Sequence, residues 1–249
     1  MLQKKPYKVR MREKAQIGIR SQLASPIVAE LLGSTGFDFI YIDMEHAPNE
    51  LLAVIHQCQA LAGTPAEPVV RVPENSHSII ARMLDAGVEN LVVPMVESRE
   101  EAERAAAATR FPPKGKRGFG GVHRGSRFGL DANYVASLDD RVCLTVQVES
   151  RKGLANLKEI ASTDGVDCVL FGPADLAADM GYLGQQEHKD VVAAIEAGVA
   201  TVVAAGKFAG MSTGSPDSGR KWVEKGCRSV SIAGDMAILA REARRLATS

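Results

Sequence analysis

Short apolar runs alternate along the chain with longer stretches in which apolar residues recur every three or four positions. The first pattern is typical of buried strands and the second of amphipathic helices. Runs such as VVRV, LVVPM and CVLF are apolar or nearly so throughout, as expected of strands covered on both faces. The predicted strands cover residues 16–23, 37–43, 68–72, 90–95, 142–149, 167–172, 209–214 and 229–234.

The periodic stretches predict eight helices, several of which begin after a serine able to cap them, at Ser25, Ser98 and Ser215. Because strands and helices alternate strictly, the sheet is expected to be parallel. Eight such units in 249 residues predict an α/β fold, a single (β/α)8 TIM barrel spanning 1–249. The predicted helices cover residues 26–32, 49–62, 78–86, 98–109, 152–161, 189–205, 217–225 and 235–246.

An open, doubly wound sheet is the alternative arrangement of these elements. Such a sheet binds a dinucleotide at a glycine-rich turn after its first strand, whereas residues 24–26 here are Ala-Ser-Pro. The barrel is therefore favoured, and no nucleotide cofactor is expected. Two further segments complete the chain. A basic segment, 1–14, is predicted to form a helix capping one end, and a long Gly-, Pro- and Arg-rich loop, 111–140, joins the fourth helix to the fifth strand.

Composition narrows the classes of function. Lysine and arginine number 30 and so do aspartate and glutamate, so bulk charge does not favour nucleic acid or an anionic membrane as a partner. No apolar run approaches the ~20 residues of a membrane span, and no secretory signal is recognisable. The four cysteines are scattered without a C-x-x-C pair, as in a reducing compartment, so we expect a cytoplasmic protein.

Barrels of this kind carry their chemistry at the carboxyl ends of the strands. In this chain those positions are polar on four strands, which predicts a single mouth lined by acids, a histidine and an arginine. They are Asp43 and His46 after the second strand, Arg71 on the third, Gln147 and Glu149 on the fifth, and Asp175 after the sixth.

Glu149 and Asp175 follow adjacent strands, with Gln147 close by. Two carboxylates with open positions beside them suit a hard divalent cation such as Mg²⁺ or Mn²⁺. A salt bridge to Arg71 or Lys152 without a metal is the alternative, and spacing alone does not separate the two.

His46 has the side chain best suited to proton transfer at neutral pH, and Asp85 can orient its imidazole if it comes within reach. A structural histidine and an ordinary helix-end aspartate are the alternatives. Arg71 can clamp a carboxylate through two hydrogen bonds, or it can pair with Asp43 or Glu45 in a buried ion pair.

A Schiff-base mechanism requires a desolvated lysine inside the barrel. No predicted strand contains a lysine, and Lys207 precedes the seventh strand at the wrong end. An imine-forming aldolase is therefore not expected.

Several long segments, in this order, resemble the HpcH/HpaI family of class II, metal-dependent pyruvate aldolases. The resemblance runs from about residue 16 to the C-terminus. The segments are FDFIYIDMEHAPN (37–49), PVVRV (68–72), MLDAGVENLVVPMVES (83–98), RFPPKGKRGFG (110–120), VQVES (146–150) and FGPADLAADMGYLG (171–184).

This resemblance implies a divalent metal, Mg²⁺ or Mn²⁺ with Co²⁺ as a further candidate, held by Glu149 and Asp175 and chelated by a 2-oxo acid. Arg71 would contact the keto oxygen and stabilise the enolate, and His46, supported by Asp85, would move the proton of the C4 hydroxyl. Residues implied to bind substrate or support the site are Gln147, Gly172, Pro173, Ala174, Ser212, Arg20 and Asp43, with amides around Gly172 and Ala174 receiving the carboxylate. A homo-oligomer is also implied, a hexamer built as a dimer of trimers with an exchanged C-terminal helix.

The expected reaction is the reversible cleavage of 4-hydroxy-2-oxo acids to pyruvate, or hydroxypyruvate, and an aldehyde. The same enolate serves an oxaloacetate decarboxylase or another enolate-condensing lyase of the family, and these are the alternatives. A non-catalytic barrel that binds a 2-oxo acid and a metal is a third possibility. The presence of the whole set His46, Arg71, Glu149 and Asp175 disfavours it, because binding alone requires no base.

Three positions depart from the family pattern. Members commonly carry Trp at the position of Arg20 and Leu at that of Ser212, and HRGSRF at 123–128 differs from the usual motif. All three are expected to line the mouth, and the first two are more polar here. We therefore expect a small acceptor aldehyde that is polar, hydroxylated or anionic, received by Arg20 or Arg124.

Overall fold

Eight parallel strands close into a barrel in which each strand pairs with the next and the eighth pairs with the first. The computed structural model describes residues 5–248. The closed barrel confirms the predicted (β/α)8 fold and excludes an open, doubly wound sheet. The strands are β1 Gln16–Ser21, β2 Phe39–Asp43, β3 Glu67–Arg71, β4 Asn90–Val93, β5 Cys143–Val148, β6 Cys168–Phe171, β7 Phe208–Ser212 and β8 Cys227–Gly234.

Helices surround the barrel, and the predicted serine caps are present, since Ser25, Ser98 and Ser215 accept hydrogen bonds from amides three residues ahead. The described helices are α1 Tyr7–Glu13, α2 Pro26–Gly33, α3 Leu51–Leu61, α4 His77–Asp85, α5 Arg99–Thr109, α6 Tyr134–Arg141, α7 Arg151–Ala155, α8 Leu157–Ala161, α9 Pro173–Asp179, α10 Lys189–Ala204, α11 Pro216–Glu224 and α12 Asp235–Ala247. A 3₁₀ turn spans Arg124–Ser126.

Helix α1 closes the base of the barrel, the end at which the strands begin. Tyr7 and Met11 are buried, and the ring of Tyr7 meets that of Phe39 edge-on at 5.6 Å. The Tyr7 hydroxyl also lies 2.8 Å from Ser229 Oγ on β8. The predicted capping helix is thus confirmed for its described part, while residues 1–4 of the predicted segment lie outside the described residues.

The structure differs from the predicted elements at three helices. The helix predicted over 152–161 is two short helices, α7 and α8, which meet at Asn156, whose side-chain amide donates to the carbonyl of Glu97. Helix α9 was not predicted because it has only seven residues and follows the glycine and proline of a strand-end turn. Helix α6 lies inside the segment predicted as loop, where its single apolar stripe is short.

The long connection between α5 and β5 folds against the base of the barrel. Arg117 from this connection is fully buried and donates to Asp85 at 2.6 Å and to the Tyr134 hydroxyl at 2.8 Å. Arg124 donates to the carbonyl of Ala86, at the end of α4. Because helices run back from the mouth to the base, these contacts lie opposite the mouth. The expectation that 123–128 lines the mouth, with Arg124 receiving the aldehyde, is therefore wrong within one chain.

Two further features bear on the expectations from composition. Within residues 5–248 no helix is long and apolar enough to cross a membrane. All four cysteines, Cys58, Cys143, Cys168 and Cys227, are free and buried.

Candidate active site

A cavity of about 300 Å³ opens at the carboxyl ends of the strands. Nine of the residues singled out in the sequence line it, namely Arg20, His46, Arg71, Gln147, Gly172, Pro173, Ala174, Asp175 and Ser212. They come from six strands and the turns that follow them, so the barrel closure brings together residues up to 192 positions apart, as for Arg20 and Ser212. Asp43 and Glu149 lie buried beside this lining.

Glu149 is the most perturbed carboxylate of the site. Its Oε1 accepts a hydrogen bond from the amide of Met95 at 2.9 Å, and its Oε2 accepts one from the Gln147 side chain. Burial raises the pKa of Glu149 to about 7, and the charges of Glu45 and Asp175 act in the same direction. A bound cation would relieve this unfavourable concentration of negative charge.

Gly172 leaves the space that this arrangement needs. A Cβ at position 172 would overlap the Glu149 carboxylate and would lie 3.0 Å from Gln147 Nε2. The chain then turns through Pro173 into α9, whose first turn carries Asp175 at the cavity surface. The backbone at the end of β6 therefore passes close to Glu149 and presents a second carboxylate to the same cavity.

These two carboxylates fit a part of the ligand set of a divalent cation. Within the described residues no group of three or more His, Cys, Asp or Glu side chains is arranged to hold a metal ion. Glu149 and Asp175 would therefore provide two oxygen ligands, and the others would come from water or substrate. Magnesium is commonly held in this way, by one or two carboxylates with water and substrate oxygens. Lys152, the alternative partner, pairs with Glu97 at 3.0 Å instead.

The start of α9 also bears on how a substrate carboxylate could bind. The amide of Gly172 donates to the carbonyl of Val148, so it is already occupied. The amide of Ala174 lies in the first helical turn, where amides have no acceptor within the helix. Of the two predicted amide positions, Ala174 is the one that remains open to an anion.

Arg71 is held by two carboxylates. Its Nε and one terminal nitrogen donate to Asp43 at 2.9 and 2.6 Å, and the other terminal nitrogen lies 2.7 Å from Glu45 Oε2. Burial alone would raise the pKa of Asp43, but the hydrogen bonds and charge of Arg71 hold it below its ordinary value. The buried ion pair anticipated as an alternative is thus present, and Arg71 still lines the cavity.

His46 lies at the rim, with its side chain 56% exposed and Nε2 3.8 Å from Glu45 Oε2. Asp85, predicted to support it, ends α4 at the base and contacts Arg117 and, at 3.6 Å, His123 Nε2. Within one chain the structure therefore brings Glu45, and not Asp85, to His46. Glu45 was considered only as a partner of Arg71, although its position next to His46 in the sequence was a usable signal.

Tyr41 is a further residue of the site that the sequence reasoning missed. Its ring lies beneath both cavity arginines, with the Arg71 Cζ 5.7 Å and the Arg20 Cζ 6.0 Å from the ring centroid. Its hydroxyl is 3.5 Å from Gln147 Oε1. Because it stands inside the apolar run FIYID, it resembled an ordinary core residue. Its inward direction follows only once the barrel register is known.

Known proteins resemble this chain in sequence and in overall fold. Residues 16–240 match the model of the HpcH/HpaI aldolase/citrate lyase family. A hydroxypyruvate/pyruvate aldolase from Agrobacterium fabrum is 46% identical over 94% of this chain and 88% of its own. A 5-keto-4-deoxy-D-glucarate aldolase from Shigella boydii is 42% identical, covering 94% and 91%.

Among solved structures, an HpcH/HpaI aldolase/citrate lyase family protein from Burkholderia cenocepacia superposes with a TM-score of 0.92 at 38% identity, over 97% of each chain. The fold and the sequence relatives thus point in the same direction. The chain belongs to the HpcH/HpaI aldolase/citrate lyase family and is a carbon–carbon lyase.

Proposed function

We propose that this lyase is a divalent-metal-dependent aldolase that reversibly cleaves 4-hydroxy-2-oxo acids to pyruvate, or hydroxypyruvate, and an aldehyde. The names of the relatives support the donor. The observation that carries the proposal is the carboxylate pair at the mouth. Asp175 lines a cavity that also contains Arg71 and His46, and Glu149, with its pKa raised to about 7, lies buried beside that lining.

Glu149 and Asp175 hold the cation in this proposal, with Gln147 fixing the Glu149 carboxylate by a hydrogen bond. A bound Mg²⁺, Mn²⁺ or Co²⁺ would supply Lewis-acid stabilisation of the negative charge that develops on the keto oxygen. The first-turn amide of Ala174 receives the substrate carboxylate, and the positive end of α9 favours that anion. The reacting carbons then lie toward the rim, where His46 stands.

His46 accepts the proton of the C4 hydroxyl, directly or through one water, as the C3–C4 bond breaks. The O–H bonding pair forms the aldehyde carbonyl, and the C3–C4 pair becomes the enolate of the 2-oxo acid. Arg71 stabilises the enolate oxygen with a charge already oriented by Asp43 and Glu45, so little reorganisation accompanies the reaction. Protonation at C3 completes the product.

The test is the release of pyruvate from a panel of 4-hydroxy-2-oxo acids and oxaloacetate, followed with lactate dehydrogenase, with Mn²⁺ or with EDTA. We expect cleavage with Mn²⁺ and its loss with EDTA. Cleavage that survives EDTA would overturn the metal requirement. Pyruvate from oxaloacetate alone would indicate a decarboxylase, and no turnover of any substrate would indicate a barrel that only binds.

Asp175 and Asp179 provide a matched pair of variants on one helix. Asp179 caps the start of α7 through the amide of Arg151, and it is not part of the cavity. Asp175→Asn should raise the Mn²⁺ concentration needed for cleavage, whereas Asp179→Asn should keep the wild-type response to Mn²⁺. Equal losses in both variants would indicate damage to α9 and would remove support for Asp175 as a ligand.

We also propose that the chain assembles with copies of itself, as a hexamer built from two trimers. The support is the apolar face of α12, on which Met236, Ile238, Leu239 and Leu246 are exposed. Light scattering after size-exclusion chromatography would test it, and a monomer at micromolar concentration would contradict it. The predicted cytoplasmic location stays a prediction from the cysteine pattern.

A further inference from the structure

The two arginines of the cavity differ in what balances their charge. Arg71 contacts two carboxylates, those of Asp43 and Glu45. Arg20 forms no ion pair with a carboxylate of the described residues, and its hydrogen bond goes to the neutral hydroxyl of Ser212 at 2.6 Å. Its Nε is buried and has no partner among those residues. Arg20 is therefore the cavity cation whose charge and donors are left for a ligand.

Its surroundings favour an anion over a merely polar group. A buried guanidinium nitrogen without an acceptor is costly, and a carboxylate can satisfy two donors of the fork together. Ser212 accepts from Arg20, so its own O–H remains free to donate in the same direction. Thr213, the next residue, is committed through Oγ1 to backbone carbonyls of Ser215 and Ser231.

The positions of Arg20 and Ser212 relative to the proposed metal site indicate which part of the substrate these two side chains would contact. Arg20 is on β1 and Ser212 is on β7, whereas Glu149 and the start of α9 follow β5 and β6. A 2-oxo acid held between Ala174 and Arg71 therefore leaves the Arg20–Ser212 side of the cavity for the rest of the substrate. That remainder is the portion released as the aldehyde.

We propose that Arg20 and Ser212 bind a carboxylate on the aldehyde portion, so that the preferred substrates are 4-hydroxy-2-oxo acids with a second carboxylate. This inference rests on the proposed aldolase function and specifies its acceptor. In the cleavage the C3–C4 bond breaks, the C4 hydroxyl gives up its proton, and the products are a 2-oxo acid and an aldehyde that keeps its carboxylate on Arg20.

The experiment compares two acceptors of similar size in the addition of pyruvate, glyoxylate with a carboxylate and glycolaldehyde with a hydroxymethyl group. We expect the wild-type enzyme to favour glyoxylate in kcat/KM. Arg20→Met should reduce that preference about 10- to 100-fold, the range expected when a charged hydrogen-bond partner is lost. Arg20→Lys should lie between, because it keeps the charge and loses the fork.

Arg220→Met is the matched control, because Arg220 is an exposed arginine of α11 whose partner is Asp217. It should keep the wild-type preference. An Arg20→Met enzyme with the wild-type preference would overturn the inference, and so would a wild-type enzyme that favours glycolaldehyde. Where Arg20→Met does not fold, the ratio for Arg20→Lys carries the test.

Exchange of the pyruvate methyl protons in D₂O with Mn²⁺, without any acceptor, separates failure of this inference from failure of the proposed function. The exchange reports enolate formation alone. Wild-type enzyme that neither exchanges these protons nor adds either aldehyde would contradict the aldolase proposal itself. If the wild-type enzyme exchanges these protons but the Arg20 variants keep its preference between the two aldehydes, only the proposed carboxylate site is contradicted.

Discussion

Each end of the barrel holds a cluster made of a buried arginine and its carboxylate partners, and the two clusters differ in what else the arginine can contact. At the mouth, Arg71 contacts Asp43 and Glu45 while part of it faces a cavity. At the base, Arg117 has no exposed surface, contacts the single carboxylate of Asp85 and lies 4.7 Å from the ring centroid of Phe111. The guanidinium of Arg71 therefore borders a cavity, whereas that of Arg117 is enclosed by protein.

The balance of charge also differs between the cluster at the mouth and the cluster at the base. At the mouth the carboxylates outnumber the arginines, and burial, with a smaller contribution from the neighbouring acids, raises the pKa of Glu149, so the cavity attracts a cation. At the base, Nε and one terminal nitrogen of Arg117 are buried without a partner, so the cluster has donors to spare. Arginine and carboxylate side chains therefore line a cavity at the mouth. At the base the same residue types enclose the arginine and hold the long loop against α4.

Removal of the buried carboxylate at the mouth should have the largest effect. Glu149→Gln should lower kcat/KM for cleavage by about a thousandfold, because the developing charge loses its main stabilisation. Pyruvate release with saturating Mn²⁺ measures it. Glu103→Gln, at an exposed glutamate paired with Arg99, is the control and should retain full activity. Near-normal cleavage by Glu149→Gln would remove the metal site from the mouth.

The next test concerns the base at the rim. His46→Ala should lower cleavage by about 10²-fold, the lower end of the usual contribution of a positioned general base. Oxaloacetate decarboxylation should fall much less, because it has no C4 hydroxyl to deprotonate. His56→Ala, at an exposed histidine of α3, provides the control. Equal losses in both reactions would indicate that His46 binds or positions substrate.

The contrast between the two ends also explains what the sequence could predict. The eight-strand barrel followed from the alternation of apolar runs and periodic stretches, and the mouth followed from polar residues at strand ends. Both are local patterns whose meaning depends only on the fold class. The closed barrel then placed Arg20 and Ser212, 192 residues apart, within hydrogen-bond distance.

What was missed depended on contacts that local patterns do not contain. Asp85 was expected at the mouth, but Arg117, 32 residues later, meets it at the base because the connecting loop folds there. Glu45 was not expected to face both Arg71 and His46, because the backbone after β2 leaves the strand geometry, so alternation no longer predicts side-chain direction. Helix α9 was too short to show a period.

The cluster at the base gives a smaller expected effect, on stability. Asp85→Asn leaves the buried charge of Arg117 without its carboxylate and should lower the free energy of unfolding by about 2–3 kcal/mol. Asp139→Asn, which breaks a surface pair with Lys114, should cost less than about 0.5 kcal/mol. Urea unfolding measures both, and equal effects would show that the base cluster is not a stabilising tie.

The pH profile of cleavage by the Asp85→Asn variant adds a second readout. If Asp85 serves only the base, the profile keeps its wild-type shape. A profile of changed shape would indicate that Asp85 reaches the mouth of another copy in an oligomer. That outcome would restore the predicted dyad in an assembly, although it is absent within one chain.

The smallest expected effect is the pH dependence of cation binding at the mouth. Because burial and nearby acids raise the pKa of Glu149 to about 7, the metal-free carboxylate is protonated at lower pH and must release that proton to bind a cation. The apparent affinity for Mn²⁺ should therefore fall up to about tenfold for each pH unit below about 7, and level off above it. Calorimetric titrations at about pH 6 and about pH 8, in buffers of different ionisation enthalpy, should show release of about one proton only at the lower pH. Asp175→Asn should weaken binding at both pH values and keep this slope, because it leaves Glu149 as the titrating ligand.

An affinity for Mn²⁺ that does not change between about pH 6 and about pH 8 would mean that another group receives the cation. The acidic surplus that distinguishes the mouth from the base would then be balanced by Arg20 and Arg71 alone.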